Sequence, residues 1–218
     1  MSAQFPEPLD VPDVTEPYQP RSGQRGTGFL TGPHRLGTTP SATVGPYLAI
    51  GLTWPDGAFA AEEGTGGGFW IRGRVLDGAG DAVPDAMVET WQADPDGRFA
   101  SPEDPRGAAV HPGFRGYARA QTVTGEFAVF TLRPGRVPDG EGGLQAPHVD
   151  ASVFARGLLD RVVTRIYFAD EVDANAEDAV LRTVPEDRRP TLLATPTDDG
   201  YRFDIHLQGE HETVFFAV

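Results

Sequence analysis

The sequence predicts an all-β protein, a β-sandwich with short helices and long loops. Three observations lead to this prediction. Short segments rich in Val, Ile, Phe, Tyr and Trp recur from Phe69 to the C-terminus. Turn-forming Gly, Pro and Asp residues separate these segments at short intervals. Helix-forming patterns are confined to one stretch, between residues 175 and 193.

The predicted strands follow one another with a turn signal between most neighbours. Asp77 to Gly80 (DGAG) follows the first strand, Asp96-Gly97 the second, and Thr124-Gly125 divides a longer apolar stretch into two. Alternation in the segment that starts at Tyr201 predicts that Tyr201, Phe203, Ile205 and Leu207 share one face. The predicted strand regions are 69–77, 86–94, 116–132, 148–155, 162–169, 201–208 and 212–218.

Two short helices are expected, from Asn175 to Thr183 and from Pro185 to Leu193, because Pro185 and Pro190 limit their length. Residues 1–37 are rich in Pro, Gly and polar side chains and read as an extended arm with little core of its own. Residues 38–218 are predicted to form the single β-sandwich domain.

The composition of the chain excludes some classes of partner and predicts a cellular location. The chain has 218 residues, no cysteine and a formal charge of −14. The absence of cysteine excludes disulfides and thiolate metal sites, and the acidic excess argues against nucleic acid and anionic membranes as partners. No apolar run is long enough for a transmembrane helix, and the acidic N-terminus lacks signal-peptide features, so we expect a cytoplasmic protein.

The most informative motif is the strand-like run from Ala146 to Gly157, APHVDASVFARG. Side chains two residues apart in a strand share a face, so His148, Asp150 and Ser152 project together. Two histidines at this spacing would be natural ligands for iron, copper or zinc. Here the second position is Asp150, and the run therefore resembles a metal centre from which a ligand is missing.

That run resembles the PAHIH stretch of the intradiol ring-cleaving dioxygenases. The segments TPSATVGPY (39–47), ETWQAD (89–94) and YRFDIHLQGEHETVFF (201–216) extend the resemblance over all but about the first 35 residues. It is closest to the alpha subunits of the hetero-oligomeric members that cleave protocatechuate. The resemblance implies the prealbumin-like intradiol dioxygenase core, a β-sandwich.

The resemblance also implies a partner and a cofactor. In such enzymes a catalytic beta subunit, a paralogue of alpha, binds ferric iron through two tyrosines and two histidines. The alpha subunit completes the beta-subunit cavity in which protocatechuate and O₂ react to give 3-carboxy-cis,cis-muconate. We therefore expect the iron in the partner beta chain, and none in this one.

Several positions support that expectation. Val137 stands where the family carries a tyrosine, and with His148 and Asp150 it marks a vestigial metal site. The stretch from Phe99 to Gly116 should hold the second tyrosine and contains none. The catalytic chains carry an arginine and a glutamine where this chain has Gln145 and Arg165. Trp91, in ETWQAD, is expected to pack in the β core.

The resemblance assigns a substrate-pocket role to the segment with Gly45 and Pro46, and to Arg156. The alpha-subunit counterpart of this arginine reaches into the beta cavity, where it would place fixed positive charge near an anionic substrate. The alternatives are an ordinary turn before the first strand and a surface arginine paired with a carboxylate. The expected pocket residues are Thr43, Gly45, Pro46, Tyr47 and Arg156.

Two other functions remain open from the sequence. One is a self-sufficient dioxygenase that uses His148, Asp150 and an unusual tyrosine. The other is a non-enzymatic β-sandwich binding module, because this architecture carries many functions.

Overall fold

The computed structural model describes residues 51–109 and 111–217. Strands dominate this part of the chain, and each is short. The strands are β1 (Phe69–Leu76), β2 (Met87–Trp91), β3 (Tyr117–Gln121), β4 (Glu126–Thr131), β5 (His148–Phe154), β6 (Val162–Phe168), β7 (Leu193–Thr197), β8 (Gly200–Arg202) and β9 (Ile205–His206). The helices are α1 (Val172–Glu177), α2 (Ala179–Thr183) and a 3₁₀ turn (Arg189–Leu192).

The strands pair in the order β3-β2-β5-β6-β7-β8-β1-β4, and β9 pairs with β1. Strand β7 joins two layers, because it pairs with β6 on one side and with β8 on the other. Buried side chains from both layers, such as Val149 and Ile166 in one and Ile71 and Val129 in the other, form one core cluster. The predicted all-β sandwich is confirmed.

The tight turn predicted at Thr124-Gly125 joins β3 to β4. Both residues have positive φ, 57° and 86°, which is the backbone of the two-residue hairpin turns that match strand twist. The predicted face of Tyr201, Phe203 and Ile205 is also confirmed, since all three are buried in the core cluster. Leu207 is half-buried and packs against the same cluster.

The prediction of one continuous strand over 201–208 is wrong, because the segment is split into β8 and β9. At the break the Asp204 carboxylate accepts a hydrogen bond from the Arg74 backbone N–H at 2.8 Å, in place of a strand-to-strand bond. The Phe203 carbonyl lies so close to Gly73 that a side chain at Gly73 would overlap it. Close backbone approach at a glycine is typical of such irregularities.

Three further predictions need correction. Residues 212–218 were expected to form a strand, but within residues 212–217 only an isolated bridge joins Phe216 to Val163. Strand β7 was not predicted, because Pro196 and two threonines mask its pattern. The helix expected over 175–183 starts earlier, at Val172, and is divided at Asp178, which caps α2 by accepting from the Leu181 N–H.

The second predicted helix, 185–193, is reduced to the 3₁₀ turn Arg189–Leu192, with a proline in its first turn. In the part of the chain that the structure describes, no helix is long and apolar enough to cross a membrane. The predicted arm, 1–37, and its boundary lie outside the described residues.

Candidate functional site

Cross-strand pairing builds the candidate site on the outer face of the β3-β2-β5-β6 layer. Trp91 of β2 pairs with Asp150 of β5, and Asp150 pairs with Arg165 of β6. In the next row His148 pairs with Tyr167. Since Val149 and its same-face neighbours point into the core, these side chains point away from it. The predicted shared face of His148 and Asp150 is therefore present.

Two loops close over this row and leave a cavity of about 540 Å³. The loop after β2 contributes Phe99 and Arg106, and the loop before β5 contributes Val137 and Gln145. All three predicted vestigial positions line this one cavity: Val137, His148 and Asp150. The structure thus brings together residues that lie apart in the sequence.

Arg165 occupies the wall beside Asp150. Its Nε lies 3.0 Å from Asp150 Oδ1, and its Nη1 donates to Gln145 Oε1 at 2.7 Å. A weaker contact of 3.4 Å joins Nη1 to the Tyr167 hydroxyl. Gln145 and Arg165, two of the positions at which the sequence departs from the catalytic pattern, are therefore hydrogen-bonded to each other. The guanidinium supplies the positive charge next to Asp150.

His148 is buried, with 5% of its side chain exposed. Its Nδ1 donates to the Ala146 carbonyl at 2.7 Å, because a carbonyl can only accept, so Nε2 of the neutral ring is an acceptor. Burial lowers the pKa of His148, and the nearby Arg165 guanidinium lowers it further. Nε2 lies 4.0 Å from Asp150 Oδ1, beyond hydrogen-bond distance.

This donor set does not fit iron. Val137 offers no donor atom, and Asp150 is already engaged by Arg165. Among residues 51–109 and 111–217, no three His, Cys, Asp or Glu side chains are grouped so as to hold a metal ion. A stable mononuclear site usually needs at least three protein ligands.

Two tyrosines are near this row, Tyr167, which pairs with His148, and Tyr117, which pairs with Trp91, and neither completes the set. The Tyr167 hydroxyl donates to Asp178 Oδ1 at 3.2 Å, and burial raises its pKa. The Tyr117 hydroxyl donates to Glu89 Oε1 at 2.9 Å, and Tyr117 does not line the cavity. Burial and the Glu89 carboxylate raise the pKa of Tyr117 to about 12. A phenol held protonated in this way is a poor metal ligand.

Aromatic rings form another side of the cavity. Trp91 stacks on Phe99, with ring centroids 5.9 Å apart and an interplanar angle of 8°. The expectation that Trp91 packs in the β core is wrong, because its position in β2 points it to the outer face. Sequence reasoning missed Phe99 because it follows the turn at Gly97 and belongs to no strand.

Arg106 and Asp104 are the other residues that the sequence did not single out. Their side chains form an ion pair of 2.8 Å, and Asp104 Oδ2 also accepts from the Phe99 N–H at 2.9 Å. The Arg106 guanidinium and these backbone bonds lower the pKa of Asp104 well below its usual range. This short-range pairing orders the loop that carries Phe99.

Arg156 lies beyond the other end of β5 and does not line the cavity. Its Nε donates to both Asp85 carboxylate oxygens at 2.9 Å, and its Nη2 lies 2.7 Å from Oδ2. The side chain is 61% exposed, and Gly157 turns the chain with φ of 82°. Within this chain Arg156 is a surface arginine with a carboxylate partner. Thr43, Gly45, Pro46 and Tyr47 lie outside the described residues.

Comparison with known proteins gives close relatives. The family model described as "Dioxygenase" matches residues 56–209. The protocatechuate 3,4-dioxygenase alpha chain of Burkholderia cepacia is 42% identical over 84% of this chain and 98% of its own length. The beta chain of the same organism's enzyme is 32% identical over 66% of this chain and 65% of its own.

Solved structures agree in fold. Catechol 1,2-dioxygenase from Acinetobacter sp. ADP1 has a TM-score of 0.53 at 21% identity, over 68% of this chain and 55% of that one. The dioxygenase domain of a carbohydrate-binding fusion from Streptomyces sp. SirexAA-E has a TM-score of 0.51 at 24% identity, over 79% and 99%. The family match and the 42% identity show that this chain belongs to the intradiol ring-cleaving dioxygenase family, with protocatechuate 3,4-dioxygenase alpha chains among its relatives.

Proposed function

We propose that the chain is the alpha subunit of a hetero-oligomeric protocatechuate 3,4-dioxygenase. Its partner is a catalytic beta subunit that binds the ferric iron, and the shared cavity takes protocatechuate and O₂ and gives 3-carboxy-cis,cis-muconate. The observation that carries the proposal is the 42% identity to an alpha chain over 98% of that chain's length. A cytoplasmic location remains a prediction.

The chemistry of this chain's own cavity supports a division of labour. The family is iron-dependent, but the cavity of this chain offers Val137 and an Asp150–Arg165 pair where ligands would be needed. The charge of the arginine next to Asp150 opposes the binding of a further cation there. The same features disfavour a self-sufficient enzyme, so the metal is assigned to the beta chain.

The contribution of this chain to the shared cavity is then steric and electrostatic. Thr43, Gly45, Pro46 and Tyr47 are proposed to line it, and Arg156 to extend a guanidinium toward it. Arg156 suits this role because most of its side chain is exposed while Asp85 fixes one edge of the guanidinium. An arginine that is already oriented loses less entropy when it meets an anion.

Iron content and oxygen consumption test the proposal. The chain purified by itself is expected to contain no stoichiometric iron and to consume no O₂ with protocatechuate. A complex obtained by co-expression with a paralogue that retains two tyrosines and two histidines should contain iron and consume O₂ with protocatechuate. One iron per isolated chain would contradict the proposal, and failure to co-purify with any such paralogue would favour a binding module.

A further inference from the structure

The cavity at the end of β5 remains open although its donors do not fit a metal. Its volume of about 540 Å³ lies within the roughly 300–1,000 Å³ typical of small-molecule sites. The chemistry of the family requires a metal, but the residues of this cavity do not fit a metal ion. The cavity therefore has no assigned occupant in this chain. The side chains that line it define what could bind.

One acceptor atom in the cavity wall, His148 Nε2, is not used by a hydrogen bond to the described residues. The Nδ1–H of His148 is used by the Ala146 carbonyl, which leaves Nε2 as an acceptor facing the other lining groups. No donor among the described residues lies within hydrogen-bond distance of Nε2. A ligand hydroxyl that enters the cavity can donate to Nε2 in place of water.

The charges of the wall do not favour an anion. Arg165 is matched by Asp150, and Arg106 is matched by Asp104. Glu103 also lines the cavity, so the formal charge of the wall is negative with neutral His148. The chain as a whole carries −14 and adds to the repulsion of an anion. An uncharged ligand with a hydroxyl donor suits a wall that is negatively charged and offers a hydrogen-bond acceptor.

The remaining wall is aromatic. Trp91 and Phe99 stack nearly parallel and present their rings to the cavity together with the apolar side chain of Val137. Such a surface favours a flat aromatic ring over an aliphatic one, because aromatic pairs gain a favourable interaction beyond the burial of apolar area.

We propose that this cavity is a metal-free binding site for an uncharged phenol. The phenol hydroxyl donates to His148 Nε2, and the ring lies against Trp91. No bond is made or broken in the site. The proposal does not depend on the function proposed above, since it concerns a cavity formed by this chain alone.

Binding of phenol to the full chain, purified with any subunit that accompanies it and kept in a metal chelator, tests the proposal. Isothermal titration and saturation-transfer NMR should show one phenol site per copy of this chain, in addition to any site on an accompanying subunit. Benzoate tests the charge argument and cyclohexanol tests the ring argument, and both are expected to bind at least tenfold more weakly. Benzoate binding as tight as that of phenol would overturn the assignment of ligand class.

Two variants locate the site. His148→Leu should weaken phenol binding about tenfold, as expected for one lost hydrogen bond, whereas His211→Leu, at an exposed histidine outside the cavity, should leave it unchanged. Val137→Phe, which fills the cavity without removing the acceptor, should abolish the phenol site of this chain. A site on an accompanying subunit would contribute equally to all variants. Equal phenol affinity in wild type and in either folded cavity variant would refute the proposal.

Discussion

Strand β5 has an arginine ion pair near each end, and the two pairs differ in their surroundings. At the cavity end, Arg165 meets Asp150 with only 21% of the arginine side chain exposed, and Gln145 accepts a further bond. Beyond the other end, Arg156 meets Asp85 with 61% of the arginine exposed. The first guanidinium is held on several sides, whereas the second pairs with one carboxylate, Asp85, among the residues that the structure describes.

The difference separates a structural arginine from one that is available to a partner. A partly buried charge that loses its partner costs far more than an exposed one, because water cannot solvate it fully. The cavity end should therefore be sensitive to substitution in the folded chain itself. Loss of Arg156 should affect the folded chain less, because only its partner Asp85 is mostly buried, and its main effect should be seen when an anion or a second subunit meets the guanidinium.

The largest effect on stability is expected at Asp178, whose hydrogen bonds join the segment before β5 to α2 and β6 at the cavity end. This fully buried carboxylate accepts from the Ala146 N–H, the Leu181 N–H and the Tyr167 hydroxyl. Asp178→Ala should lower the free energy of unfolding by about 3 kcal/mol, because it removes the cap of α2 and leaves buried donors unpaired.

Denaturant unfolding followed by circular dichroism measures this loss. Asp173→Ala removes an exposed carboxylate of the preceding helix, α1, and should leave stability unchanged. Equal midpoints for the two variants would show that the Asp178 hydrogen bonds do not hold the cavity end in place.

A smaller effect separates the two arginines directly. Arg165→Ala should destabilise the chain by about 1–2 kcal/mol, a value reduced from that of a fully buried pair because Asp150 is 36% exposed. Arg156→Ala should lower the melting temperature less than Arg165→Ala, since it leaves the 17% exposed Asp85 carboxylate unpaired but removes an arginine that is mostly in water, and it should lower kcat/KM for protocatechuate in the complex with the beta subunit about tenfold.

Thermal unfolding and steady-state kinetics on both variants decide this comparison. Arg161→Ala, at another exposed arginine near the same end of β5, is the control and should change neither quantity. An unchanged kcat/KM for Arg156→Ala would remove this arginine from the shared cavity.

The two ends also differ in how far the sequence predicts them. The period of two along β5 correctly places His148 and Asp150 on one face, because strand geometry depends only on local sequence. The family resemblance marks Arg165 as a departure from the catalytic chains, but it does not identify Arg165 as the partner of Asp150. That pairing depends on the register between β5 and β6, which no local pattern specifies.

The cavity's other wall was missed for a similar reason. Phe99 reaches Trp91 only because the loop after β2 folds back, and an ion pair between Asp104 and Arg106 helps to order that loop. Trp91 was assigned to the core because tryptophan usually packs there, although its place in the alternation of β2 faces outward. Non-local contacts therefore account for most of what sequence reasoning did not find.

The smallest expected effect is a pH dependence specific to the cavity end. Burial lowers the pKa of His148 below its usual value of 6.5, so the folded chain binds fewer protons there than the unfolded chain as the pH falls below 6.5. Stability that is present above that pH should be lost as the pH falls through 6.5 toward the lower folded-state pKa. His148→Gln should flatten this part of the stability profile, measured by urea unfolding at a series of pH values. His211→Gln, at an exposed histidine, should leave the profile as it is. A slope that persists in folded His148→Gln would mean that another group titrates there and that the imidazole at the cavity end is not held neutral.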